Sequence, residues 1–126
     1  MTRAHGEGEN MANINGSILD TIKQMLGSNT DTTFDVDIII GINSAISRLT
    51  QLGVGVSEGY EIQDSTNTWT DFLDGDKRFS FVKSYIYLKT KLIFDPPVNS
   101  AILESMNNQI KELEWCICNA NDINPL

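Results

Sequence analysis

The chain has 126 residues, 40% hydrophobic and 21% charged, the balance of one ordinary globular domain long enough to bury a core. Its formal net charge of −8 argues against the phosphate-neutralising surface on which duplex binding rests. No apolar run approaches the roughly 18 residues needed to span a bilayer and the start carries no signal-peptide pattern, so no membrane contact is expected and the chain is expected to be intracellular when made.

Residues 1–16 are polar, rich in Gly and Asn, and without periodicity. They read as a flexible N-terminal extension, with Met11 a candidate internal start. The only histidine, His5, falls within it and has no partner from which to build a base or metal site. Ser17 and Asp20 have the spacing of a capping box. Ile18, Leu19, Ile22, Met25 and Leu26 then give a short amphipathic helix that Gly27 can end. After a polar loop, Thr32 or Thr33 can cap a second helix, with Asp35 and Asp37 in its first turn, where the helix dipole favours negative charge. Ile38, Ile42, Ala45, Ile46, Leu49 and Leu52 form its core stripe, and Gly53 stops it. The run Gly53-Val54-Gly55-Val56-Ser57-Glu58-Gly59 lacks both the spacing and the preceding strand of a dinucleotide loop, and reads as a turn or hinge.

Residues 54–76 form a connection too long for a simple link in a domain this small. It carries six acids (Glu58, Glu61, Asp64, Asp71, Asp74, Asp76) and no base. Tyr60 and Ile62 alternate with polar residues, and Thr68, Trp69, Thr70 and Phe72 are β-favouring, so a long loop or a short β-hairpin is expected. Trp69 is either a plug pinning the connection to its own core or an anchor for a neighbouring molecule. Asp74-Gly75-Asp76 is a turn without calcium-loop spacing.

The next helix holds five of the nine basic residues (Lys77, Arg78, Lys83, Lys89, Lys91) and no acid. Its apolar residues make two stripes, Phe79, Val82, Ile86 and Ile93 on one side and Phe81, Tyr85, Leu88 and Leu92 on the next. Such a helix is either the centre of its own domain or shared between subunits. Pro96-Pro97 must end it, because Pro96 drives Asp95 out of the helical region and neither ring carries an amide hydrogen. Ile102, Met106, Ile110, Leu113 and Ile117 then recur at steps of three and four, giving a last helix that forms an antiparallel hairpin with the helix before the prolines, with Trp115 pointing away from Leu113. Cys116 and Cys118, two apart on this helix, face different ways and are expected to pack as free thiols. Residues 120–126 read as a C-terminal tail.

The expected fold is therefore mainly α: a small four-helix domain over residues 17–119, with a long loop or short β-hairpin between the second and third helices. No nucleophile and base, no Cys/His cluster and no phosphate loop can be assembled. No catalytic residue, metal or cofactor is expected, which leaves a non-enzymatic interaction module.

Several stretches together carry a more specific likeness. Ile18-Leu19-Asp20 to Leu26-Gly27, Asp37-Ile38-Ile39-Ile40-Gly41-Ile42-Asn43-Ser44, Leu49-Thr50-Gln51-Leu52-Gly53-Val54-Gly55, Thr68-Trp69-Thr70-Asp71-Phe72, Val82-Lys83-Ser84-Tyr85-Ile86-Tyr87-Leu88-Lys89, Phe94-Asp95-Pro96-Pro97 and Glu112-Leu113-Glu114-Trp115 make the chain resemble the head-tail connector proteins of tailed bacteriophages, over about residues 17–119. The resemblance implies a structural virion protein of the head-tail neck, assembled in the host cytoplasm. It would form a dodecameric homo-oligomeric ring beneath the portal protein and give the next neck or tail-completion protein a platform. DNA would pass through the lumen without sequence-specific binding. The competing expectation is a cytosolic helical interaction or regulatory protein with the same core. For the connector, the contact between subunits or partners is expected to use Trp69, Asp71, Phe72, Lys83, Tyr85, Lys89 and Trp115. The acidic connection is expected to lie against the basic helix, either of the next subunit, with Trp69 or Phe72 as apolar anchor, or of its own.

Overall fold

Among the residues described by the computed structural model, 16–27 and 31–123, the last three as helical backbone, there are five helices: α1 Ile18–Leu26, α2 Asp35–Gln51, α3 Trp69–Leu73, α4 Phe79–Phe94 and α5 Ser100–Ile123. The expectations for His5, Met11 and residues 124–126 lie outside these. The protein is mainly helical, as its periodicity implies, with one difference in the connection. No β-hairpin forms there among the described residues. Thr68 instead pairs in a single antiparallel bridge with Ser17, and the segment after it coils into the one-turn α3. Thr68 Oγ1 accepts the Asp71 amide at 3.2 Å, the N-cap chemistry that turns β-favouring residues into a helix start.

Local signals explain most helix ends. Ser17 Oγ accepts the Asp20 amide at 3.1 Å, and Gly27 closes α1 in the left-handed conformation at φ 86°. For α2 the expected cap is not used. Its N-cap is Phe34, without a side-chain bond, and the Thr33 amide is bound by Asp31 Oδ1 at 2.8 Å in the turn before it. The nearly buried Lys23 of α1 instead forms an ion pair with Asp35 at 2.8 Å, tying the two helices together at this end. Asn99 caps α5, its Oδ1 accepting the Ala101 and Ile102 amides at 2.8 and 3.1 Å. That helix continues to Ile123, so the segment expected as a tail from residue 120 begins as helix.

Helix α4 is the centre of the domain, packed against α2, α1 and α5, with α5 running antiparallel to it, as the bonds of Arg78 to Ile117 and Tyr85 to Glu114 show. Val82, Tyr85, Ile86 and Leu88 are buried, while Phe79, Phe81 and Leu92 pack partly buried against the same core. Both stripes are thus covered by the protomer itself along most of their length. Ile93, at the helix end, remains 54% exposed. The α2–α4 crossing is close because Gly41 has no side chain: a Cβ there would lie 3.1 Å from Thr90 Cγ2. On α5, Met106, Ile110 and Ile117 are buried, whereas Ile102, on the same stripe, is 52% exposed because it lies near the hairpin tip, beyond the reach of the core.

Candidate functional site

The long connection is held by side chains rather than by a ladder. Asn43 of α2 acts like a strand partner: its Oδ1 accepts the Ile62 amide at 2.8 Å and its Nδ2 donates to the Ile62 carbonyl at 3.0 Å. Asn67 does the same work within the loop, accepting the Gln63 amide at 2.8 Å and donating to the Tyr60 hydroxyl at 3.2 Å. Ile18 donates its amide to the Asn67 carbonyl at 3.0 Å. Gly55 approaches Phe72 so closely that a Cβ would sit 2.7 Å from the ring, and its φ of 77° is itself disfavoured for other residues.

Trp69 settles on one of its two expected roles. It is fully buried, donates its indole N–H to Thr21 Oγ1 at 3.1 Å and meets the Phe79 ring edge-on at 5.2 Å. Phe72 is also fully buried and stacks on Tyr60 at 5.4 Å. Both belong to the protomer's own core, so neither offers a surface anchor; the short helix α3 turns them inward. Tyr85 is buried too, donating its hydroxyl to Glu114 Oε2 at 2.6 Å, while Arg48 reaches the other oxygen at 3.3 Å. Burial and the adjacent carboxylate push the Tyr85 hydroxyl well above the ordinary tyrosine range. Burial would raise Glu114, but the hydrogen bonds from Tyr85 and Arg48 outweigh it and hold the carboxyl below its usual value.

The remaining expected contact residues do lie at the surface. Asp71 and Trp115 are exposed and Lys83 and Lys89 partly so. The two lysines sit over aromatic rings, Lys83 over Phe79 at 5.2 Å and Lys89 over Tyr85 at 5.9 Å. Pairing of the acidic connection with the basic helix inside one protomer is confined, among the described residues, to Asp76 and Arg78. That pair is bidentate at 2.9 and 2.6 Å, and the same guanidinium donates to the carbonyls of Gly53 at 3.2 Å and Ile117 at 3.1 Å. Arg78 thereby joins the end of α2, the start of α4 and the end of α5. It holds Asp76 below the ordinary aspartate range, chiefly through that side-chain hydrogen bond.

Uncovered apolar surface gathers where the sequence did not point. Phe34, Val36 and Ile40 at the start of α2, Ile93 at the end of α4, and Val98, Ile102 and Leu103 around the hairpin tip are each 36% exposed or more. Phe34 and Phe94 meet edge-on at 5.5 Å, which brings the α2 start beside the α4 end. Among the described residues, no group of three or more His, Cys, Asp or Glu is placed to hold a metal ion, and no helix is long and apolar enough to cross a membrane.

Residues 18–124 match the phage connector protein family. The chain belongs to that family. No match is found among curated proteins or among solved structures. As a phage connector it is a structural component of the virion that associates with other virion components. The exposed apolar residues of the connector were unequally legible in its sequence. Trp115 was legible because it lies off the apolar stripe of α5. Phe34, Ile40 and Ile93 were not, since an isoleucine in a run such as Ile38-Ile39-Ile40 gives no sign of which member faces solvent. Asn43, Asn67 and Arg78 were missed as well, because their partners lie in another element or several residues away across a loop.

Proposed function

We propose that this connector forms a dodecameric ring beneath the portal, extends the DNA channel, and gives the next neck or tail-completion protein a platform. The observation that carries this reading is the apolar pole, the set of exposed apolar side chains at the start of α2, the end of α4 and the hairpin tip, on a chain of the connector family. The net charge of −8 supports a lumen from which phosphates are repelled, so that DNA passes without sticking. Residues 17–119 make the connector body, with helix α5 extending it at the C-terminal end.

At the contact between subunits we place Asp71, Lys83, Lys89 and Trp115, with Trp69, Phe72 and Tyr85 supporting that surface from beneath. The acidic connection of one subunit faces the basic helix of the next. Such exposed pairs contribute up to about 1 kcal/mol each, so they orient the contact and apolar surface supplies its strength. Electron microscopy of purified neck particles, with co-purification on the portal, tests the reading: a ring seated on the portal is expected. A compact particle that neither binds portal nor assembles in the neck would overturn it. Lys83→Glu with Lys89→Glu tests the charged contact, and ring formation unchanged in that variant would remove it.

A further inference from the structure

Two features of the surface fit each other and lie on different parts of the same chain. The first is an open slot of about 270 Å³ lined by Phe34, Asp37, Ile40, Ile93 and Phe94. The second is Trp115 on the outer face of α5, 57% exposed. Beyond the first turn of α5 it is the large apolar side chain left in water among the described residues. We infer that Trp115 of one copy seats in this slot of a second copy, with Lys111 of the first against Asp37 of the second; the inference deepens the ring reading above and rests on it.

The protomer cannot fill the slot with its own tryptophan. The slot opens beside the hairpin tip, and Trp115 lies fifteen positions along α5 from Ser100, about 22 Å at 1.5 Å per residue. The antiparallel course of the hairpin carries it away from the tip, as the bonds Arg78 to Ile117 and Tyr85 to Glu114 show. The slot suits an aromatic guest. Phe34 and Phe94 stand edge to face, leaving ring surface against which an indole packs in offset or perpendicular geometry. Asp37 is exposed at the slot, and Lys111, also exposed, is one helical turn from Trp115, so the pair can meet with the exposed Glu112 on the opposite flank of the indole. Tryptophan is enriched among binding hot spots, which sit in well-packed pockets.

Because knob and slot are separate places on one chain, each copy uses its knob on one neighbour and its slot on the other. The contact is heterologous and closes into a ring when its rotation permits.

The test uses the full chain, measured by sedimentation velocity and tryptophan emission over a concentration series, with Trp115→Ala and Ile40→Asp. Both positions are exposed, so urea midpoints near wild type are expected and confirm that the variants fold. Wild type should self-associate with a blue shift of Trp115 emission, Trp69 being buried in every state. Each variant alone should associate roughly tenfold or more weakly. The decisive sample is their equal mixture: Ile40→Asp offers an intact knob and Trp115→Ala an intact slot, so the mixture should form dimers and stop there. Wild type that stays monomeric with unshifted emission throughout the series overturns the inference. Variants that assemble like wild type, or a mixture that behaves like its components, do the same. These failures leave the ring reading standing if neck particles contain the ring, so the two fail separately.

Discussion

Three single residues show how much of this connector rests on positions that look unremarkable in the chain. Asn43 satisfies both backbone groups of Ile62, and truncation would orphan a part-buried donor and acceptor together. Asn43→Ala is expected to cost about 2–3 kcal/mol, read as a lower urea midpoint, with protease cleavage appearing in residues 54–68 before elsewhere. Thr90 presents the opposite case. Its hydroxyl is fully buried and has no hydrogen-bond partner among the described residues at the α2–α4 crossing. Thr90→Val keeps the branched shape facing Gly41 and removes the unpaired group, so a gain of about 1 kcal/mol is expected in the same assay. At Gly55 the obstacle is both backbone and space, since φ is positive and Phe72 would stand 2.7 Å from the new carbon. Gly55→Ala should therefore destabilise by about 2 kcal/mol or more, whereas an alanine at the exposed Ser57 of the same loop should leave the midpoint unchanged.

At the level of elements, Arg78 is the fastening that joins the end of α2, the start of α4 and the end of α5. Its partner Asp76 titrates below the ordinary aspartate value, and the sign of the linkage follows. Between the folded and unfolded values the unfolded chain binds the extra proton, so stability rises with pH there. The contribution is complete above the unfolded value, roughly 3.9, and is lost as pH falls through the lower folded value. Glu114, bridging α2, α4 and α5 through Arg48 and Tyr85, is shifted the same way and adds to the same acid limb. Asp76→Asn should lower stability at neutral pH and flatten the acid limb of a stability-versus-pH curve. An acid limb as steep as that of wild type would show that the shift has no energetic weight. The ion pair of Lys23 with Asp35 fastens α1 to α2. Because the lysine is nearly buried, Asp35→Ala would leave a charge without its partner, and a loss of about 2–3 kcal/mol is expected by denaturant titration.

For the molecule as a whole, residues from all five helices share one core, so the connector is expected to unfold as a single cooperative unit. In a Trp115→Phe background, urea transitions followed by Trp69 emission and by helical circular dichroism should coincide; separated midpoints would show that the connection and α3 melt independently. What the chain determined unaided is the set of features that depend on near neighbours. The capping serine and Gly27 bound α1, the steps of three and four mark the core faces of α2 and α5, and Pro96-Pro97 enforce the hairpin, because each acts through bonds or sterics within a few residues. Long-range placement belonged to the tertiary structure. Two apolar stripes on α4 left both a central helix and a shared helix open, and only the positions of α2 and α5 showed that both stripes are covered at home along most of their length. Likewise a tryptophan among β-favouring residues could have faced a neighbour until α3 turned it against Phe79 and Thr21. Periodicity states which side of a helix is apolar, but coverage depends on where other helices stop, and it is because the core ends before the hairpin tip that the apolar side chains there stay exposed.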